Sequence, residues 1–150
     1  MPLDIDRDNS AMVRQFTRHK FGEVCKNYAF PAAVYFGQDM IILWNEEEFH
    51  SAVKIYRGVL QEAGLAFVES KVIETSALQG NGSAVSVANK FYDESGEVFG
   101  HSKIRYFLQS VEGSQKIRLV EYQKWPCAER LAANPAYQAL LEQNAQGRVA

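Results

Sequence analysis

Apolar positions along the first third of the chain recur at helical spacing. Met12, Val13 and Phe16, then Phe21, Val24, Cys25 and Tyr28, fall on one stripe, with Asp6 or Asp8 able to cap it and Gly22 placed to divide it. Pro31 is expected to end that helical stretch. Residues 32–44 contain two β-rich runs around Gly37-Gln-Asp39, the pattern of a short hairpin. Asn45-Glu-Glu-Glu48 then forms a capping box, in which Asn45 accepts from exposed amides, Glu48 reaches back and three carboxylates complement the positive helix end. Phe49, Val53, Tyr56 and Leu60 continue that helix, and Gly64 is placed to close it in a left-handed conformation.

From Leu65 the period shortens to two. Strands are predicted over about 66–78, 84–92, 98–109 and 116–125, separated by Gln79-Gly-Asn-Gly-Ser83, Asp93-Glu-Ser-Gly96 and Val111-Glu-Gly-Ser114. Loops this short join antiparallel neighbours, because a parallel return needs a crossover of about a dozen residues. Helices followed by an antiparallel meander give an α+β domain. After Trp125-Pro126, Asn134-Pro135 caps a last helix carrying Tyr137, Leu140 and Leu141, and residues 146–150 are expected to be loose. One domain over 1–150 is predicted, with a core over about 8–125 and a helical C-terminal extension over about 128–146.

Strand parity selects the candidate site. Val85, Val87, Asn89 and Phe91 share one face of their strand, Ile104, Tyr106 and Leu108 one face of the next, and Ile117, Leu119, Glu121 and Gln123 one face of the last. If these sets turn toward the helices, Asn89, Tyr106 and Glu121 are polar groups pointing into the interior. A carboxylate there has its charged form disfavoured, which suits proton transfer, and a phenol can donate to a developing oxyanion. A Glu121 paired with a Lys or Arg, a Tyr106 satisfied by backbone, and an Asn89 satisfied by a neighbour are the alternatives. Tyr28, Phe36, Trp44 and Tyr56 fall where helix ends and hairpin would rim such a cavity, as ligand-holding rings or as plain core.

Composition narrows the partners. A formal charge of -2 offers no general attraction to phosphate backbones or anionic lipid, so neither nucleic acid nor membrane is expected. The acidic start, Met1-Pro-Leu-Asp-Ile-Asp-Arg-Asp, has no apolar core of a leader, and no apolar run reaches the ~20 residues of a membrane span, which predicts a cytoplasmic protein. Cys25 and Cys127 have no CxxC spacing and are expected to be free thiols. His19, His50 and His101 are isolated in sequence, without HxH or HExxH spacing, so no metal site and no cofactor are predicted. Gly80-Asn-Gly82 lacks the frame of a phosphate loop and reads as a turn.

The element order, with Tyr92-Asp-Glu-Ser-Gly96, Ile104-Arg-Tyr-Phe-Leu108 and Lys116-Ile-Arg-Leu-Val-Glu-Tyr122, resembles the nuclear-transport-factor-2-like superfamily, which includes SnoaL-like cyclases and ketosteroid isomerases. The resemblance covers roughly residues 8–125 and departs from the usual Gly-x-Trp of the last hairpin, where Gln115 or Lys116 stands. It implies a cystatin-like α+β cone: a curved antiparallel half-barrel whose concave face is covered by N-terminal helices, paired as a homodimer through the convex sheet face. It further implies a pocket between sheet and helices, and the supply of rings with few inward polar groups suits that pocket to an apolar or aromatic small molecule. The other reading is an isomerase, dehydratase or cyclase in which Glu121 moves a proton and Tyr106 steadies charge.

Overall fold

The computed structural model describes residues 9, 12–14, 16, 20–80 and 82–145. Asp6, Asp8, His19, Asn81 and the 146–150 tail lie outside the described residues. Asn9, Met12, Val13, Arg14 and Phe16 are helical. Then follow α1 (Phe21–Cys25), β1 (Tyr28–Phe36), β2 (Asp39–Leu43), α2 (Glu46–Glu62), β3 (Leu65–Ala77), β4 (Gly82–Asp93), β5 (Val98–Val111), β6 (Ser114–Lys124), α3 (Ala128–Ala133) and α4 (Pro135–Ala145).

The capping box forms as its residues dictate. The Asn45 side chain accepts from the Glu48 amide at 3.0 Å and donates to the Glu48 carboxylate at 3.2 Å. Gly64 follows α2 with φ +94, a conformation that a Cβ would strain. Asn134 caps α4 by accepting from the Tyr137 amide at 3.1 Å.

The six strands make one unclosed sheet in the order β2-β1-β6-β5-β4-β3. Every neighbouring pair is antiparallel except β1 and β6, which run parallel. That long-range pairing joins the hairpin to the meander, whose own strands are antiparallel as the short loops imply. β1 begins earlier than expected. The strand opens at Tyr28 and passes through a cis Phe30–Pro31 bond, so Tyr28 belongs to the sheet instead of the first helical stripe. The aromatic, β-prone run Tyr28-Ala-Phe outweighs its helical periodicity, and the Ile117 amide donates to the Asn27 carbonyl at 2.7 Å, tying its start to β6.

The core lies between the concave sheet face and α2. Phe49, Val59 and Leu60 of α2 are fully buried, together with Val87 of β4 and Val120 of β6. The C-terminal extension adds Leu131 and Tyr137 to the same cluster and is fastened to the hairpin by Asn144, whose amide meets both the Ile42 amide and the Ile42 carbonyl. No helix among the described residues is long and apolar enough to cross a membrane.

Candidate functional site

The direction of the last strand decides what the sheet presents to its interior. Between β5 and β6, Phe107 faces Leu119 while Leu108 faces Ile117, so Arg118 has no partner of its own. One extra residue inverts the alternation that follows it. Ile117 points inward at one side of the bulge and Val120 at the other, both buried. Two concave rows follow from the register: Val34, Val120, Tyr106 and Val85, and beside it Phe36, Tyr122, Ile104 and Val87.

Glu121 therefore stands on the convex face, opposite Tyr35 of β1 and Arg105 of β5. Its carboxylate accepts from the Gln123 side chain at 3.0 Å. The expectation that it points into the cavity with Leu119 is corrected, and Tyr122 takes that place. A trace of the inversion is present in the chain itself: Leu119-Val120 are adjacent apolar residues, which a strictly alternating strand would not need.

Four tyrosines converge in the interior from separate elements. Tyr28 comes from β1, Tyr56 from α2, Tyr106 from β5 and Tyr122 from β6. The Tyr122 ring stacks on Phe36 with centroids 4.4 Å apart and meets the Tyr56 ring edge-on at 5.6 Å. Tyr28 packs on Phe49 at 4.7 Å. Burial holds all four phenols above the ordinary tyrosine range; for Tyr28, Tyr56 and Tyr122 the neighbouring phenols push further in the same direction. They are neutral donors at any physiological pH.

Two hollows lie against these rings. One, of about 60 Å³, sits beneath the hairpin and the C-terminal helices and is bounded by Phe36, Ile41 and Leu131. The other, of about 90 Å³, sits beneath the N-terminal helical residues and is bounded by Met12, Phe16, Asn89 and Tyr106. Tyr28, Phe49, Val53, Tyr56 and Tyr122 form walls of both. Among the described residues, neither lining contains an Asp, Glu, His, Lys or Arg.

Two polar atoms in these walls are left over. The Tyr56 hydroxyl is buried without a hydrogen-bond partner among the described residues. Asn89 donates to the Ser102 hydroxyl at 2.9 Å, but its carbonyl oxygen has no partner among the described residues. A buried polar group in that state invites a water or a ligand atom.

The sequence-chosen residues thus divide. Tyr28, Phe36, Tyr56, Asn89 and Tyr106 line the hollows. Trp44 does not: it is 45% exposed and lines an open groove between the start of α2 and α4. Tyr122, Phe49 and Tyr137 were not singled out as site residues. Phe49 lay on the apolar stripe of α2 all along, whereas Tyr122 was hidden by the bulge. On the convex side, Phe67 and Tyr92 stack at 4.4 Å with Phe67 48% exposed, on the face to which the resemblance assigns a homodimer contact.

No protein-family model and no curated protein matches the chain. Solved structures do. It is similar to a domain of unknown function with a cystatin-like fold from Nostoc punctiforme, at 10% identity, 97% coverage of each chain and TM-score 0.64. It is similar also to a nuclear-transport-factor-2-like protein from Novosphingobium aromaticivorans, at 10% identity, covering 92% of this chain and 86% of that one, with TM-score 0.61. A ketosteroid isomerase-like protein from Erwinia carotovora atroseptica shares 15% identity over 77% of this chain and 89% of its own, with TM-score 0.56. At such identities the likeness speaks for architecture, and the chain has the nuclear-transport-factor-2-like, cystatin-like cone fold.

Proposed function

We propose that the interior of the cone binds a compact, uncharged, apolar or aromatic molecule bearing an acceptor oxygen. The observation that carries this reading is the Tyr56 hydroxyl, desolvated and unpartnered in a wall common to both hollows. A ketone or quinone oxygen would supply its missing partner, and neutral phenols cannot offset a buried anion as a cationic side chain would. Each hollow is smaller than the ~150 Å³ apolar cavity known to take benzene, so a six-membered ring enters once the shared aromatic wall turns. With Glu121 on the convex face, the described lining offers donors and apolar surface but no carboxylate to carry a proton. Binding is accordingly the reading preferred over proton-transfer catalysis.

The test is thermal stabilisation by cyclohexanone against cyclohexane, for the native chain and for Tyr56→Phe. The native chain is expected to be stabilised more by the ketone. In Tyr56→Phe that preference disappears, while the unliganded protein is unchanged or gains roughly 1 kcal/mol because an unsatisfied buried hydroxyl is gone. Equal response to both probes in the native chain, or a variant that loses more than about 1 kcal/mol while keeping the preference, would overturn the reading.

A further inference from the structure

A second group of chemically capable side chains lies outside the hollows, where α1 meets the first turn of α2. Glu46 and His50 are four residues apart and share a helix face. Cys25, the last residue of α1, comes against that face. The cysteine sulfur, a Glu46 carboxylate oxygen and a His50 ring nitrogen all lie within 4.8 Å of one another. His50 Nε2 is 3.6 Å from Glu46 Oε1, too far for a hydrogen bond, and the same nitrogen is sealed from solvent with no hydrogen-bond partner among the described residues.

We propose that Cys25, Glu46 and His50 are three ligands of a divalent transition-metal ion of the zinc type, with a fourth position left to water. The donor set is one sulfur, one nitrogen and one oxygen, which suits zinc or cobalt and not calcium or magnesium, whose ligands are oxygens. In a tetrahedral site with ordinary metal–ligand lengths the donors stand about 3.3–3.6 Å apart. The histidine and glutamate are already at that span. The sulfur lies within 4.8 Å of both other donors, so it stands no more than about 1.5 Å beyond that span, and the Glu46 side chain, 68% exposed, has room to adjust toward it.

Without an ion the site keeps its proton: burial and the Glu46 carboxylate push the Cys25 thiol up to about 11. Binding replaces that proton with the metal. One sulfur–hydrogen bond breaks, one metal–thiolate bond forms, the proton goes to solvent and no oxidation state changes. The ion would fasten α1 to α2 directly behind the aromatic wall, for the Phe49 ring is 6.2 Å from His50.

Cobalt(II) titration of the chelator-treated full chain tests this. The expected result is a thiolate-to-cobalt charge-transfer band in the near ultraviolet, saturating at one ion per chain and displaced by zinc. Its affinity rises with pH, as release of one proton requires. Cys127→Ser keeps the band, Cys25→Ser abolishes it, and His50→Gln and Glu46→Gln each weaken binding roughly tenfold or more. If Cys25→Ser does not fold, the two variants at the partly exposed positions 46 and 50 decide. No band, a band that survives Cys25→Ser, or one indifferent to both His50→Gln and Glu46→Gln would overturn the proposal.

Discussion

Tyr122→Glu is expected to destroy cooperative folding, while Glu121→Gln next to it shifts stability by no more than about 0.5 kcal/mol. The contrast follows from the bulge at Arg118, which turns Tyr122 toward Phe36 and Tyr56 and leaves Glu121 on the outer face beside Gln123. A carboxyl forced among these rings is either charged, at a cost of several kcal/mol, or neutral and unpartnered, at about 1–3 kcal/mol, and in both cases the ring stack is lost as well. A total above about 4 kcal/mol is comparable with the whole stability of many domains. Urea unfolding followed by circular dichroism measures both variants. A tolerated Tyr122→Glu together with a damaging Glu121→Gln would mean that the strand alternates without interruption.

Phe49→Ala is expected to lose about 3–5 kcal/mol and to make the interior bind larger apolar molecules. Phe49 is 2% exposed, packs on Tyr28 and Phe30, and stands in the wall between both hollows. Removing its ring takes away the transfer energy of the side chain and leaves space that the surrounding strands cannot fill. That space joins the two hollows, and a dry cavity of the combined kind takes benzene or xenon. Denaturant unfolding gives the loss, and benzene should restore part of it in the variant while doing much less for the native chain. A loss below about 1 kcal/mol would show that α2 is not pinned to the sheet at this residue.

What the chain revealed in advance was local. The Asn45-Glu-Glu-Glu48 box, the stripe from Phe49 to Leu60, Gly64 and the glycine-bearing hairpin loops each specify their element with residues close in sequence, and α2 and β3 to β6 form within a few residues of the expected bounds. Where distant segments decide, the chain was silent. The parallel pairing of β1 with β6 depends on residues about ninety positions apart, and it draws Tyr28 out of the helical pattern into the sheet. Within the helical extension expected over about 128–146, the start of α3 carries no local signal, for Cys127 precedes it in a left-handed conformation with no side-chain cap.

The candidate site was legible to the same extent. Asn89 and Tyr106 sit on strands whose alternation is intact where they lie, and both face inward as their neighbours imply. Glu121 follows the bulge at Arg118, and period-two reasoning assigns the residues between there and the next register shift, at Gln123, to the wrong side. The convergence of Cys25 with Glu46 and His50 needs the packing of two helices and leaves no spacing motif to detect.

The measurement closest to the central claim, a chamber walled by neutral phenols with Tyr122 among them, is an alkaline spectrophotometric titration run beside circular dichroism. Tyr28, Tyr56, Tyr106 and Tyr122 have folded-state ionisation raised above the unfolded value near 10, so their contribution to stability is complete below that pH. As pH climbs past it, the unfolded chain releases protons that the folded one keeps, and stability falls. The predicted result is that these phenols stay un-ionised while the fold persists and then ionise together in the same step that abolishes the circular dichroism. Ionisation of all seven tyrosines near pH 10 with the native spectrum intact would contradict it.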